Sequence, residues 1–100
     1  MARTRTDYAM SRHARRRCQQ RGVPGAVLAA LLDWADRSVP VGGGCEAVSL
    51  SRQVEAWLRR AGWPAALLER LVGLTAILSP VGEVVTVLHA NARRYRRAWN

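Results

Sequence analysis

Lysine is absent from this 100-residue chain, so all sixteen of its basic residues are arginines. Absence of lysine alone fits the coding bias of a GC-rich genome and carries no functional weight. Phenylalanine is also missing, which leaves four tryptophans and the many leucines and valines to supply the bulk of a core. Cys18 and Cys45 form no CxxC pair and belong to no Cys/His cluster, which speaks against a structural zinc site. Two free thiols in a reducing cytoplasm are expected instead. The seven acids are scattered along the chain, so no carboxylate set for a catalytic metal can be assembled, and no cofactor motif stands out. Long apolar runs are missing too. The most membrane-like stretch, residues 71–90, is interrupted by Ser79-Pro80-Val81-Gly82-Glu83, a charged turn that predicts a hairpin and excludes integral membrane association. The opening MARTRTDYAM lacks the apolar segment of a secretory signal, although an arginine-rich, acid-poor start is compatible with a transit peptide. The expected location is the cytoplasm.

What the chain does have is arginine concentrated at its ends. Residues 1–21 carry Arg3, Arg5, Arg12, Arg15, Arg16, Arg17 and Arg21 against Asp7, and residues 93–97 carry Arg93, Arg94, Arg96 and Arg97, giving 11 − 1 = +10. Between them, five arginines face six acids, or −1. Adjacent like charges repel, and each i,i+4 pair on a helix costs a few tenths of a kcal/mol unless a counter-charge arrives. A guanidinium matches phosphate oxygens two at a time and stacks on bases, so nucleic acid is the first partner to consider. An acidic protein partner or an anionic membrane surface are the other readings of the same charge.

The length allows one domain, residues 1–100, with one modest core. Met10, Ala14 and Cys18 recur every four residues and predict a basic helix over about residues 8–21, with His13, Arg17 and Arg21 on a neighbouring face. Gly22 suits its C-terminal cap, and Pro24 opens a second, apolar helix reaching about residue 37. Val39 and Val41, then Cys45, Ala47 and Val48, predict two short strands around Gly42-Gly43-Gly44. That glycine run has neither the spacing nor the lysine of a phosphate-binding loop. Ser49 or Ser51 caps a third helix closed by Gly62, Pro64 opens a fourth, and strands follow over about 72–78 and 83–89. Residues 92–100 form a basic tail with Ala92, Tyr95 and Trp99 on one side of a helical wheel. No internal repeat is visible. The expected fold is α+β: a small antiparallel sheet, N-terminal helices packed on one face, and a helical insertion between strands.

The first helix holds the most specific constellation. His13, Arg17 and Arg21 form a ridge about two turns long that can follow successive phosphates, with His13 as a candidate base. A simple packing or capping role for His13 is the alternative. His89, at the end of the last strand, is the second candidate, with a partly buried structural role as its alternative. Arg12, Arg16, Arg93, Arg94, Arg96 and Arg97 extend the basic surface, and Tyr95 can stack on a base or anchor the tail. Without clustered carboxylates, any nuclease chemistry is expected to be metal-independent and confined to RNA, where the ribose 2′-hydroxyl supplies the nucleophile.

The segment His13-Ala14-Arg15-Arg16-Arg17-Cys18-Gln19-Gln20-Arg21-Gly22-Val23, with Val84-Val85-Thr86-Val87 and Ala92-Arg93-Arg94-Tyr95-Arg96-Arg97, resembles a small bacterial domain family of uncharacterised function. That family is related to BrnT-type toxins within the broader RelE/ParE-like ribonuclease-toxin fold. Its motif is H-A-x-x-R-x-x-x-R-G-[IV], with a terminal strand V-V-T-V. The two matches cover about a third of this chain, and the helical segment at residues 51–71 departs from the family's compact pattern. The resemblance implies helices on a small antiparallel sheet, RNA cleavage or translation inhibition, and an acidic antitoxin partner. It points to His13, Arg17, Arg21, Arg93 and Arg97. The expected function is a toxin-like RNA-binding protein that acts on RNA or the ribosome as a metal-independent ribonuclease or translation inhibitor. The rival is a non-catalytic basic module docking on nucleic acid, a ribosome or an acidic protein.

Overall fold

Serine, glycine and proline punctuate the chain twice in the same way, and the helices obey that punctuation. The computed structural model of the protein describes residues 10–89. Helix α1 (Arg12–Gln20) starts at Ser11, whose Oγ accepts a hydrogen bond from the Ala14 amide at 3.0 Å. Such a cap stabilises a helix by about 1 kcal/mol. Ser11 is extended (φ −70°, ψ 161°), so α1 begins later than residue 8, where its periodicity alone would place it. At its other end Gly22, with φ +62°, turns the chain back, while the Val23 amide donates to the Cys18 carbonyl and that of Gly22 to Gln19. These are the two bonds of a Schellman ending. Helix α2 (Gly25–Trp34) follows Pro24 and buries Val27, Leu28 and Leu31.

Strand β1 (Arg37–Gly42) replaces the end of the predicted second helix, which stops at Trp34. Asp36 accounts for the stop. Its carboxylate accepts from the amide and the hydroxyl of Ser51, at 2.8 and 2.6 Å, and its own amide donates to the Ser49 carbonyl. β1 contains Pro40, which an edge strand tolerates because one row of its amides needs no partner. Strand β2 (Cys45–Ser49) pairs with it antiparallel around the glycine turn. A Cβ on Gly44 (φ +77°) would sit 2.8 Å from Pro80 Cγ, so this glycine allows the two hairpin turns to pack together.

Helix α3 (Arg52–Arg60) is capped by Ser51, which accepts from the Val54 amide at 3.2 Å. Helix α4 (Ala65–Val72) follows Pro64, and strands β3 (Thr75–Leu78) and β4 (Val84–Leu88) complete the sheet. The order is β1-β2-β3-β4, antiparallel throughout. Val48, Ala76 and Val87 lie opposite one another in the register and join Ala14, Leu28, Leu31, Leu58, Leu68 and Leu71 in one core. The protein is thus α+β, with a four-stranded antiparallel sheet and two helix pairs, the second inserted between β2 and β3.

The structure also reveals a repeat that reading along the sequence misses. Positions 51 − 11 = 40 apart match through both helix pairs: Ser11 with Ser51, Arg12 with Arg52, Gly22 with Gly62, Pro24 with Pro64, Leu28 with Leu68 and Leu31 with Leu71. The hydrogen bonds repeat as well. Trp63 donates to the Leu58 carbonyl and Gly62 to Arg59, as Val23 and Gly22 do in the first pair. Each pair resembles a helix-turn-helix in outline, but a DNA-reading second helix must offer polar side chains to a groove. α2 is apolar and packs inward, so the pairs are units of core construction.

Candidate nucleic-acid interface

Helix α1 is fixed against β4 at both ends. At its start, the Ser11 amide donates to the Val84 carbonyl at 3.0 Å, its hydroxyl donates to Val85 at 3.4 Å, and Met10 bridges to Val84 in parallel. Ala14 and Cys18 are buried on the inner side, and Met10 packs beside them, as the spacing predicts. At its end, His89 reaches from β4 to the Arg21 carbonyl, Nε2 lying 3.2 Å from the oxygen. A carbonyl only accepts, so Nε2 carries the proton and donates.

The outward arc of α1 is cationic. Arg12, His13, Arg15 and Arg16 are exposed, while Arg17 and Arg21 are half-buried along the flank. No acid stands in the first turn, and none of these arginines forms an ion pair among the described residues. Arg17 suits the negative C-terminal end of the helix, whereas Arg12 meets the positive end and is disfavoured there. Arg17 Nε donates to His13 Nε2 at 3.4 Å, which places the neutral imidazole's proton on Nδ1. This long bond holds the guanidinium and imidazole side by side on the ridge. A phosphate oxygen arriving there would find the charged Arg17 donor, while Nε2 of this neutral ring can only accept.

The two histidines occupy opposite ends of this surface. His13 to Arg21 spans eight residues, about 12 Å at 1.5 Å per residue, and His89 touches the far end. General acid–base catalysis needs each group within about 3 Å of the proton it moves. His13 and His89 therefore do not form a pair around one phosphodiester. His89 instead lines a notch with Gly22, Val23, Pro24, Val27, Leu74 and Arg70. Arg70, on α4, is a cation that the sequence reading leaves in the electroneutral middle. Nothing in its local sequence signals this position; only the packing of α4 against α2 brings it there. Arg93, Arg94, Tyr95, Arg96 and Arg97, with the predicted tail helix, lie outside the described residues.

Cys18 and Cys45 are both free thiols. Burial raises the Cys18 thiol above its ordinary pKa, which disfavours the reactive thiolate. No group of three His, Cys, Asp or Glu side chains placed to hold a metal occurs among the described residues. Among them, too, no helix is long and apolar enough to cross a membrane. Comparison with protein-family models, curated proteins and solved structures finds no match to this chain.

Proposed function

We propose that the chain is a toxin-like RNA-binding protein acting in the cytoplasm on RNA or the ribosome, with an acidic antitoxin-like protein as its natural silencer. The observation that carries this reading is the arc Arg12, Arg16, His13, Arg17 and Arg21, without acid partners among the described residues and anchored to β4 at both ends. A rigid row of guanidiniums held at a cost in self-repulsion fits a polyanion, whose phosphates supply the missing counter-charges. The H-A-x-x-R-x-x-x-R-G-V pattern adds the resemblance to BrnT-related, RelE-like toxins.

As a ribonuclease, the chain would use His13 as base, with Nε2 released from Arg17 when the guanidinium turns to the phosphate. Imidazole takes the 2′-hydroxyl proton, the 2′-oxygen attacks phosphorus, and the bond to the 5′-oxygen breaks as that oxygen takes up a proton. Arg17 and Arg21 offset the charge developing on the phosphoryl oxygens. A second reading, a non-catalytic RNA-binding module, is favoured by the separation of His13 from His89, which leaves His13 without a partner acid in the described surface.

Incubating the chain with end-labelled RNA, with and without divalent metal, tests both readings. Ribonuclease action predicts metal-independent cuts ending in 2′,3′-cyclic phosphate, lost in His13→Ala while RNA binding persists. Binding without any cut supports the module. Absence of both binding and growth arrest on expression contradicts the RNA reading altogether.

A further inference from the structure

Position 57 in the second helix pair corresponds to Arg17 in the first, since 57 − 17 = 40, and it holds tryptophan instead of arginine. The Trp57 ring packs on Trp34 with centroids 5.3 Å apart and planes tilted by 35°, and Trp34 meets Trp63 edge-on at 6.0 Å and 86°. The three rings come from α3, the last residue of α2 and the α3–α4 turn. Trp63 packs against the core and braces Trp34, which braces Trp57 in turn. Yet Trp57 stays 51% exposed and Trp34 36%. A ring held this firmly and still open to solvent presents a flat face to a ligand.

The neighbours of that face select the ligand. Helical spacing places Gln53 at i−4 and Arg60 at i+3 beside Trp57. Arg52 and Arg60 have no ion pair among the described residues, while Glu55, the one acid of α3, is bound to Arg59 at 2.8 Å. Arg60, the cation beside the ring, is therefore without an ion pair among the described residues. An indole face beside the Arg60 guanidinium matches an unstacked base and its phosphate, and every base offers such a face whatever its sequence.

We infer that Trp57, braced by Trp34 and flanked by Arg60, is a stacking platform for a base of single-stranded RNA. The inference rests on the RNA-binding reading of α1 and adds a different contact: α1 grips phosphates, whereas α3 takes a base. It also explains why two helix pairs built to one pattern differ at position 17 and its counterpart. A duplex keeps its bases stacked inside and offers nothing to the platform.

The experiment titrates the full chain with a single-stranded oligouridine and with an RNA duplex of equal length, reading tryptophan fluorescence and anisotropy of the labelled RNA. Oligouridine should quench the fluorescence. Trp57→Ala should weaken single-strand binding about tenfold and leave duplex binding within about twofold, while Trp57→Phe retains most of the affinity. Circular dichroism establishes that the variants remain folded. Unchanged single-strand affinity in folded Trp57→Ala overturns the platform while leaving RNA binding by α1 intact. So does a loss of self-association on size exclusion without loss of RNA affinity, which would make the patch a protein contact. If wild-type chain binds neither RNA, the platform falls together with the RNA reading.

Discussion

Leu28→Ala or Leu68→Ala is expected to destabilise the protein by about 2–5 kcal/mol, the range for truncating a leucine that the surrounding core cannot collapse around. Both side chains are 0% exposed, and they occupy the same position in the two helix pairs. The helices that carry them, α2 and α4, pack against each other, so each truncation opens a cavity under both pairs. Total stability for a domain of this size is about 5–15 kcal/mol, and either change removes a large share of it. Urea unfolding should show a lower midpoint at an unchanged slope, with a fall in Tm of about 10 °C or more. Val81→Ala, at a side chain 90% exposed, should stay within about 0.5 kcal/mol of wild type. A small effect at only one of the two leucines would show that the pairs do not share their core equally.

Arg17→Ala combined with Arg21→Ala is expected to cut RNA affinity about 10- to 100-fold at moderate salt. Each guanidinium that neutralises a phosphate of a single strand adds about 0.7 to the slope of log affinity against log salt, so the double change should flatten it by about 1.4. Both side chains lie along the flank of α1, and Arg17 donates to His13. Arg59→Ala removes one charge where the double change removes two, from a guanidinium already held by Glu55 at 2.8 Å, and should change the slope by much less than half as much. A slope change from Arg59→Ala about half that of the double change would mean that net charge alone drives binding, with no role for the placement of α1.

The elements that could be read from sequence are those whose boundaries are set locally. Ser11 and Ser51 cap, Gly22 and Gly62 reverse, and Pro24 and Pro64 reopen the helix, all through contacts within a few residues. The run Val84 to Leu88 is β-branched enough to declare itself a strand. The end of α2 was not legible, because apolar periodicity carries on through Trp34 and Ala35 while the stop depends on Asp36 binding Ser51, fifteen positions away. Pro40 likewise argues against a full strand until the sheet order shows that β1 is an edge. The repeat is faint along the sequence because its matches are mostly caps, turns and core leucines. Its outward ridge positions, His13 and Gln53 or Arg17 and Trp57, share no chemistry.

The same division holds for the candidate interface. The His13-Arg17-Arg21 ridge is local, four residues per step, and could be drawn on a helical wheel. The meeting of His89 with the Arg21 carbonyl spans 68 positions and needs the α1–β4 packing. Arg70 joins His89 through α4, a third element, and no periodicity points to it.

The most direct test of the RNA interface is nuclear magnetic resonance of the isotope-labelled full chain during titration with a short single-stranded RNA. The expected result is perturbation of the Arg17 Nε and Arg21 side-chain signals, the His13 ring and the amides of α1, with the β1–β2 hairpin unaffected. Saturable binding that moves the hairpin signals and leaves those of α1 in place would contradict the account, as would an RNA titration that moves no signal at all.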